Sequence, residues 1–366
     1  MLHILHVIES LEFGGAEKVV VHLANKLASS YKVSICVTKR KGDLITQVNS
    51  DIKIHFLDTG EGNSLALPVK LKKLILSEKV DIVQCHNWGI YLESTLATVL
   101  SGRAKLIHTV HGHYTLFEPG FKSKVKIKIR HLLEKLASSY TFMTVPVSNS
   151  IKQYIIDDIN ISANSIQTIH NGIDGLVTNE FRVKDYSKYI KLIIIGRLAK
   201  IKNHSLLLHA FKRSLDSNSK LRLTVVGDGP ELSNLKSLTE SLGLIDYVEF
   251  YGFRTDIEEL LLSHDIFLLS SDYEGISIAI LEAMSLKMPV IATDVGGNPE
   301  VVINNKTGII VAKNNSDEFS DAINVLTGTT NLIELYGEEG YHYFYNNFHE
   351  SVVLKQYTKL YESTAG

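Results

Sequence analysis

The amino-acid sequence predicts an α/β protein of two domains, each built on a parallel β-sheet covered by helices. The chain has 366 residues, more than a single domain usually contains. Short apolar runs, typical of strands buried on both faces, alternate along it with segments of helical periodicity. Such alternation favours parallel strands that are joined by crossover helices. It starts again at Leu192 after a polar stretch, so we predict two domains.

The overall composition restricts the class of protein. Hydrophobic residues make up 45% and charged residues 21%, as in ordinary soluble globular proteins. The formal net charge of −2 gives no indication of nucleic-acid binding, and we expect none. The chain shows no signal peptide, and no apolar run approaches the ~20 residues of a membrane-spanning helix. We therefore expect a cytoplasmic protein whose two cysteines, Cys36 and Cys85, are buried free thiols.

The first half begins with an apolar strand that is followed by two adjacent glycines. Gly14 and Gly15 stand between this strand and an amphipathic helix, where glycine lets the backbone approach a ligand closely. They do not form the G-x-G-x-x-G pattern of dinucleotide-binding proteins, and a plain tight turn is the alternative interpretation. The remaining pattern predicts strands at 4–8, 31–38, 53–57, 82–85, 106–110 and 141–147, with helices at 68–77 and 93–100.

Two histidines fall at the carboxyl ends of predicted strands, His86 and His111. Ligands of open parallel sheets bind outside that edge, so both are candidate site residues, although a lone histidine is more often structural. No cluster of His, Cys and Asp has the spacing of metal ligands, so the sequence predicts no metal site.

A basic segment at 122–137 has helical periodicity. Val125, Ile129, Leu132, Leu133 and Leu136 fit one helix face. The basic residues near its start are Lys122, Lys124, Lys126, Lys128 and Arg130. A basic amphipathic helix can lie on an anionic membrane surface, and it can equally be a solvated helix packed on its own domain. The pattern leaves both interpretations open.

The second half repeats the alternation of strands and helices. Strands are predicted at 192–195, 221–226, 248–251, 266–269, 288–293 and 308–311, and helices at 205–211, 256–262 and 277–286, from Glu231 and near the carboxyl terminus. The polar stretch 175–188 is predicted to link the two domains.

The stretch from Asp272 to Glu282 carries two glutamates near the carboxyl edge of a strand. Glu274 precedes a predicted helix and Glu282 lies inside it. A helix N-terminus presents free N–H groups and a partial positive charge, which suit a phosphate. A carboxylate beside a phosphate is unfavourable unless it binds something else, such as sugar hydroxyls. This combination indicates a nucleotide sugar as the ligand.

Two cations, Arg197 and Lys202, lie in the loop after the first strand of the second half. A guanidinium fork and an ammonium point charge suit the binding of a diphosphate. Surface salt bridges are the alternative interpretation for both.

These segments together resemble a known family. Glu274 and Glu282 have the spacing of an E-x7-E motif, and the block around them continues into Pro-Val-Ile-Ala-Thr-Asp-Val-Gly-Gly. Gly-Arg-Leu-x3-Lys-Asn at 196–203, the Thr-x-His that ends at His111, and Asn-Gly-Ile-Asp at 171–174 match further elements. The chain thus resembles, over most of its length, the retaining GT-B glycosyltransferases of the GT4 type (glycosyl transferases group 1).

The resemblance implies the GT-B fold, in which two Rossmann-like parallel-sheet domains face a central cleft. Residues 1–172 would then form the acceptor-side domain, and 173–345 the domain that binds the nucleotide sugar. A carboxyl-terminal helix at about 346–366 would pack back on the first domain.

The resemblance also implies roles for the candidate residues. Arg197 and Lys202 would stabilise the leaving diphosphate, Glu274 would bind hydroxyls of the donor sugar, and Glu282 the ribose hydroxyls. His111 would contact the donor sugar or its phosphate, which makes it a catalytic residue together with Arg197, Lys202 and Glu274. The other expected donor-binding residues are Gly14, Gly15, Gly196, Gly227, Gly275, Ile276 and Ser277.

The implied activity is transfer of a sugar, with retention, from a nucleoside diphosphate sugar, expected to be UDP-linked. The acceptor would be a hydroxyl of a lipid-linked or cell-surface glycan, as in lipopolysaccharide or capsule synthesis, with His86 near the acceptor or the sugar. We expect no cofactor and no metal. The enzyme would be free in the cytoplasm or bound peripherally to the cytoplasmic face of the inner membrane.

Two alternatives share this architecture: a nucleotide-sugar 2-epimerase, and a non-catalytic protein that only binds sugar nucleotides. One local departure concerns the sugar. Ile-Ser-Ile-Ala follows Gly275 where the family commonly has a stretch containing Phe and Pro, so the sequence does not predict which sugar is bound.

Overall fold

The computed structural model describes residues 1–60, 62, 64–112, 121–176 and 185–364. The chain divides into two compact units. The first comprises Met1–Asn171 together with Ser351–Gly366, and the second comprises Gly172–Glu350. The change of unit at residue 172 lies next to the boundary predicted from the sequence.

The chain passes between the units after Asn171, earlier than the predicted linker at 175–188. Leu176 already belongs to the second unit, where its N–H donates to Ser285 Oγ at 3.1 Å. Polarity alone does not distinguish a linker from the surface residues of a domain, and residues 177–184 lie outside the described part of the chain.

The first unit contains a six-stranded parallel sheet flanked by helices. Its strands are β1 His3–Ser10, β2 Lys32–Arg40, β3 Lys53–Phe56, β4 Ile82–His86, β5 Lys105–Val110 and β6 Met143–Pro146. Its helices are α1 Gly15–Leu27, α2 Leu67–Ser77, α3 Tyr91–Ser101, α4 Phe121–Ser138, α5 Asn149–Tyr154 and, from the carboxyl-terminal end of the chain, α13 Glu350–Ser363. The strand order is β3-β2-β1-β4-β5-β6, so it reverses between β1 and β4.

The central strands of this sheet are covered on both faces. All but one of the eight residues of β1 are buried, and all five of β4 are buried. This burial explains why they appear as nearly continuous apolar runs in the sequence. Cys36 and Cys85 lie in this buried region as free thiols, as expected, and burial raises the pKa of the Cys36 thiol to about 12.

The second unit has a sheet with the same topology. Its strands are β7 Ile190–Ile195, β8 Leu221–Val226, β9 Val248–Gly252, β10 Ile266–Leu269, β11 Val290–Thr293 and β12 Gly308–Val311. Its helices are α6 His204–Ser217, α7 Leu232–Ser241, α8 Ile257–Leu262, α9 Ile278–Ser285, α10 Asn298–Val301, α11 Ser316–Gly328 and α12 Asn331–Asn347. The order is β12-β11-β10-β7-β8-β9, with the reversal between β7 and β10. The predicted α/β architecture with two parallel sheets is confirmed.

Helix α13 completes the core of the first unit. Its residues Val353, Tyr357, Leu360 and Tyr361 are buried in a cluster with residues of β1, β2 and α1. The Tyr361 hydroxyl donates a hydrogen bond to the Gln84 side chain in β4. The carboxyl-terminal helix therefore belongs to the first unit in packing, although it follows the whole second unit in sequence.

Helix α4 is inverted relative to an ordinary surface helix, because its apolar stripe is exposed. The predicted apolar face is on the outside: Ile129 is 54% exposed, Leu132 58% and Leu136 57%. The inward face is polar instead. Arg130 Nε donates to Glu134 Oε1 at 2.8 Å, and burial raises the pKa of the Glu134 carboxyl.

Two contacts hold the inward face of α4 against other elements of the first unit. The Arg130 guanidinium lies 4.7 Å from the centroid of the Trp88 ring, and the His131 ring is hydrogen-bonded to the Tyr154 hydroxyl at 2.8 Å. Among the described residues, no helix has the length and apolar character that crossing a membrane requires.

Candidate active site

The candidate donor site of the second unit lies at the carboxyl ends of β7 and β10. These strands are neighbours, and the strand order of the sheet reverses between them. In open parallel sheets the loops at such a reversal diverge and leave room for a ligand. The loop after β7 runs from Gly196 to Asn203, and the loop after β10 runs from Ser270 to Ser277.

Lys202 and Glu274 form an ion pair that joins these two loops. Lys202 Nζ donates to Glu274 Oε1 at 2.5 Å, and Ser271 Oγ donates to the same oxygen at 2.6 Å. The Glu274 side chain is 10% exposed and that of Lys202 is 23% exposed. Water therefore screens the pair only partly, and each charge depends on the other for compensation.

The two loops are also fixed by their backbones. The Asp272 N–H donates to the Ile201 carbonyl at 2.7 Å, and Ser270 Oγ donates to the Lys202 carbonyl at 3.0 Å. Asn203 caps α6 by accepting from Leu206 N–H at 3.3 Å.

Asn203 has a second function in the same place. Its Nδ2 donates to Asp272 Oδ1 at 3.0 Å and to Asn314 Oδ1 at 3.1 Å. Its φ of 46° is one that asparagine tolerates better than most residues. The two loops that carry the side chains of the site are thus joined by hydrogen bonds and do not stand independently.

Two glycines permit the close approach of the loops. A Cβ atom at Gly227, where φ is 135°, would lie 2.0 Å from the Gly196 carbonyl oxygen. A Cβ atom at Gly296, where φ is 54°, would lie 1.7 Å from the Glu274 carbonyl oxygen. Gly227 was predicted to contact the donor; the contact seen here is with the loop that carries Arg197.

The segment after Glu274 leads directly into α9. The side chains of Ile276 and Ser277 are buried, and Ser277 occupies the N-cap position without a side-chain hydrogen bond to the first turn. Glu282 is half-buried on the same helix, five residues beyond the cap. The predicted cradle from Gly275 to Ser277 and the predicted ribose ligand therefore share one helix.

Arg197 is exposed, one residue after Gly196 at the end of β7. Among the described residues its side chain is in no hydrogen bond or ion pair. The alternative interpretation, a surface salt bridge, therefore has no partner in the described part of the chain, and the guanidinium is available to an anion.

The first unit carries the remaining candidates at the carboxyl ends of its own strands. Gly14 caps α1 and Gly15 is the first residue of that helix. A Cβ atom at Gly14 would lie 2.2 Å from Glu17 Oε2, so the absence of a side chain leaves room for this carboxylate. Burial raises the pKa of Glu17, and the nearby Glu12 and Glu9 raise it further.

His86 and His111 are in direct contact. His86 Nδ1 and His111 Nε2 are 3.1 Å apart, and His86 Nε2 lies 3.1 Å from Nδ1 of a third histidine, His6. Burial lowers the pKa of all three imidazoles, to about 3 for His6 and about 4 for His111. Near neutral pH these rings are uncharged, so they can act as hydrogen-bonding groups but not as cations.

Sequence reasoning missed four residues of these sites: His6, Asn203, Ser271 and Gly296. Gly296 was noted only within the motif block that follows Glu282, and Asn203 only as the end of a motif. His6 stands in the middle of a strand pattern, and only the strand register brings it to His86. Within the described ranges, no group of three or more His, Cys, Asp or Glu side chains is placed to hold a metal ion.

The geometry of the second unit suits the binding of a diphosphate that carries a sugar. Lys202 and Arg197 supply positive charge, α9 supplies a helix N-terminus, and Glu274 supplies a carboxylate that can accept from hydroxyls. The same loops hold these groups at fixed distances before any ligand arrives, which reduces the reorganisation needed during a reaction.

Comparison with protein families agrees with this geometry. The model of "Glycosyl transferases group 1" matches residues 151–342, and that of "Glycosyltransferase Family 4" matches residues 13–175. The two matches together cover both described units.

Named relatives show similarity over most of the chain. An Escherichia coli UDP-Gal:alpha-D-GlcNAc-diphosphoundecaprenol alpha-1,3-galactosyltransferase is 29% identical, over 78% of this chain and 78% of that protein. A Campylobacter jejuni enzyme is 24% identical, over 90% of this chain and 91% of its own length. Its name is N-acetylgalactosamine-N,N'-diacetylbacillosaminyl-diphospho-undecaprenol 4-alpha-N-acetylgalactosaminyltransferase.

Solved structures show the same fold. Anabaena HepE in complex with UDP superimposes with a TM-score of 0.83 and 19% identity, covering 99% of this chain and 100% of that one. A Rickettsia africae glycosyltransferase gives a TM-score of 0.79 at 22% identity, covering 100% and 98%. The predicted GT-B fold is confirmed.

Proposed function

Because the chain belongs to the family of glycosyl transferases group 1, we propose that it moves a sugar from a UDP-sugar to a lipid-linked glycan acceptor. The observation that carries the proposal is the Lys202–Glu274 pair. It places a cation beside a carboxylate that can accept hydrogen bonds from sugar hydroxyls, at the point where the strand order reverses. The relatives named above are all glycosyltransferases, so they give the 2-epimerase alternative no support.

The choice of UDP and of a lipid-linked acceptor is supported by the relatives. The E. coli relative is named for UDP-galactose, and its acceptor and that of the C. jejuni relative are sugars on diphosphoundecaprenol. The HepE structures contain UDP and, in one case, UDP-glucose. We propose the same classes of donor and acceptor for this chain.

In the proposed mechanism, the cations of the loop after β7 meet the negative charge that grows on the leaving diphosphate. Lys202 would meet the phosphates from its place beside Glu274, and hydroxyls of the donor sugar would donate to the same carboxylate. Arg197 would add a bidentate contact to the diphosphate. Such preorganised charge acts mainly on the transition state, so its loss lowers turnover more than binding.

Replacing Lys202 tests this assignment. Lys202→Ala is expected to lower kcat for transfer from UDP-sugar by about 100-fold, because a fixed cation at the leaving group is lost. The measurement is release of UDP in the presence of acceptor. Lys200→Ala is the matched control, since Lys200 is an exposed lysine in the same turn and has no assigned role. Similar turnover by wild type and Lys202→Ala, in protein of unchanged melting temperature, would refute the site.

We further propose that the enzyme works at an anionic membrane surface and that the first unit makes the contact. The support is the exposed stripe of α4, which consists of Val125, Ile129, Leu132, Leu133 and Leu136. Helix α3, which packs beside α4, adds the exposed residues Leu96, Val99 and Leu100. Contiguous apolar surface of this kind commonly marks a binding site for a protein or a membrane.

The charge of α4 supports a membrane as the partner of this stripe. The exposed lysines Lys124, Lys126, Lys128 and Lys135 lie on the same helix as the stripe. Basic residues beside an apolar stripe suit the interface of a bilayer that contains anionic lipids, where the lysines meet headgroups and the leucines enter the acyl region. A lipid-linked acceptor would be found at this same interface.

A further inference from the structure

A chain of three imidazoles crosses the middle of the first unit's sheet. His6 lies on β1, His86 ends β4 and His111 follows β5. In the strand register His6 is opposite Gln84 and His86 is opposite Thr109, so each ring lies two residues beyond the previous one. A step of two residues keeps the side chains on one face of a sheet. This register brings the rings together.

The contacts within the chain use both nitrogens of the central ring. His6 Nδ1 meets His86 Nε2 at 3.1 Å, and His86 Nδ1 meets His111 Nε2 at 3.1 Å. Neighbouring rings are nearly parallel, with centroids 5.4 Å apart in both pairs. The outer nitrogens, His6 Nε2 and His111 Nδ1, are buried and have no partner among the described residues.

Burial keeps the three rings uncharged at neutral pH, because it lowers the pKa of each of them. A neutral imidazole carries one N–H and one bare nitrogen. Each contact needs one N–H and one bare nitrogen facing each other. If His86 carries its proton on Nδ1, then His111 must be bare at Nε2 and protonated at Nδ1, and His6 must be protonated at Nδ1. The reverse choice puts all three protons on Nε2.

We infer that His6 and His86 are positioning residues for His111, and that all three rings share one tautomer. The inference rests on the proposed function only in its last step, the contact of His111 with the donor. Through this chain, a substitution at His6 changes the donor or acceptor character of a ring that it does not touch.

The Nδ1–H form is the favoured one. In the Nε2–H form an N–H of His6, a residue with no exposed surface, would be buried without an acceptor. A buried N–H without a partner costs more than a buried bare nitrogen. In the Nδ1–H form the unpaired donor is His111 Nδ1, which is also buried but belongs to the ring at the carboxyl edge, where parallel sheets bind ligands. Of the two unpaired ends, this is the one at the edge where a ligand oxygen, from phosphate or a sugar hydroxyl, would bind.

The tautomers can be observed directly in the whole protein. In ¹⁵N-labelled enzyme at pH 7, two-bond ¹H–¹⁵N correlation spectra distinguish the two protonation sites of each ring. Signals are identified by their loss in His6→Asn, His86→Asn and His111→Asn. Three rings with the Nδ1–H pattern are expected, and a mixture of patterns among the three would overturn the inference.

Kinetics separate positioning from simple packing. His6→Leu is expected to lower kcat by about tenfold, since displaced reacting groups lose rate steeply. His6→Asn keeps a polar group near the position of Nδ1 and is expected to restore most of this loss. His3→Leu is the control, because His3 is a buried histidine of the same strand that bonds Ser34 and the Glu78 carbonyl instead.

Equal losses of kcat in His3→Leu and His6→Leu would show that the effect is structural and would overturn the positioning role. Failure of the proposed function gives a different result: wild-type enzyme would release no UDP with any acceptor, while the spectra would still report the tautomers.

Discussion

At the scale of single residues, contacts to two oxygens of Glu274 fix the position of this residue in the donor site. One carboxylate oxygen receives both Lys202 and Ser271, and the carbonyl oxygen lies against Gly296. The residue is therefore fixed at its side chain and at its backbone. A change at any of these neighbours displaces the carboxylate that we propose binds the sugar.

Gly296→Ala tests this coupling away from the chemistry itself. The new Cβ would meet the Glu274 carbonyl at 1.7 Å, in a backbone conformation with φ of 54° that side chains rarely adopt. We expect kcat to fall about 100-fold through displacement of Glu274. Gly328→Ala is the control, because a Cβ there meets nothing within 4 Å. Comparable kcat for both variants would mean that the Glu274 backbone does not position the site.

Sequence reasoning reached several of these residues but not their contacts. The motifs containing Glu274 and Lys202 indicated residue types that suit a sugar diphosphate, and the structure joins the two. Asn203 was not predicted because its bond to Asp272 depends on pairing between loops 69 residues apart. Ser271 bonds Glu274 within one loop, and only the folded shape of that loop brings the two side chains together. Local periodicity contains no information about such pairing.

Helix α4 shows, at the scale of elements, what an amphipathic pattern can and cannot predict. The periodicity correctly grouped the apolar residues on one face but could not say which face is turned inward. The Trp88 ring and the Tyr154 hydroxyl decide that, because they hold Arg130 and His131 of the polar face against the rest of the unit. The apolar face is left on the outside.

Weakening the exposed stripe tests the membrane proposal. Leu132→Ser combined with Leu136→Ser is expected to lower binding to vesicles that contain anionic lipid by at least about tenfold, since each inserted leucine contributes ~1.5 kcal/mol or more. Vesicle co-sedimentation measures the bound fraction. Val325→Ser with Leu335→Ser removes two equally exposed apolar residues of the second unit and serves as the control.

The kinetic counterpart separates membrane contact from catalysis. The α4 double variant should show a raised KM for a lipid-linked acceptor in vesicles and an unchanged rate with a water-soluble acceptor. Vesicle binding equal to that of wild type would rule out the stripe as the contact surface.

At the scale of the whole molecule, the two units differ in how many of their buried histidines have a lowered pKa. The first unit holds several buried histidines whose pKa is lowered, among them His6, His86, His108 and His111. In the second unit, burial lowers the pKa of His204 to about 4. These rings stay neutral in the folded protein but take up a proton in the unfolded chain once the pH falls below 6.5, the ordinary pKa of histidine. Stability is therefore lost as the pH falls from 6.5 towards the folded pKa values.

Mild acid should accordingly weaken the first unit more than the second. Each such histidine removes up to about 1.4 kcal/mol per pH unit in this window. Glu17 and Glu134 act in the opposite direction because burial raises their pKa, but the histidines outnumber them.

The chain's single tryptophan, Trp88, reports on the first unit alone. Between pH 7 and 5.5, the melting temperature measured by Trp88 fluorescence should fall. It should fall further than the melting temperature of the second unit, measured as the transition that only circular dichroism detects. Equal shifts in both signals would contradict the assignment.

The fold as a whole was more predictable than the site. Strands buried on both faces appear in the sequence as nearly continuous apolar runs. Their alternation with helical segments predicts the two parallel sheets. The linker was predicted too late, at 175–188, because polarity alone does not show that Leu176 is already bonded within the second unit.

Helix α13 has a consequence for biosynthesis. Its tyrosines fill the core of a unit whose other elements precede it by nearly two hundred residues. A nascent chain therefore cannot finish its first globule when that stretch leaves the ribosome, but must hold an incomplete hydrophobic surface until the second globule has also been made. Chaperone dependence during translation should accordingly concentrate on the first globule.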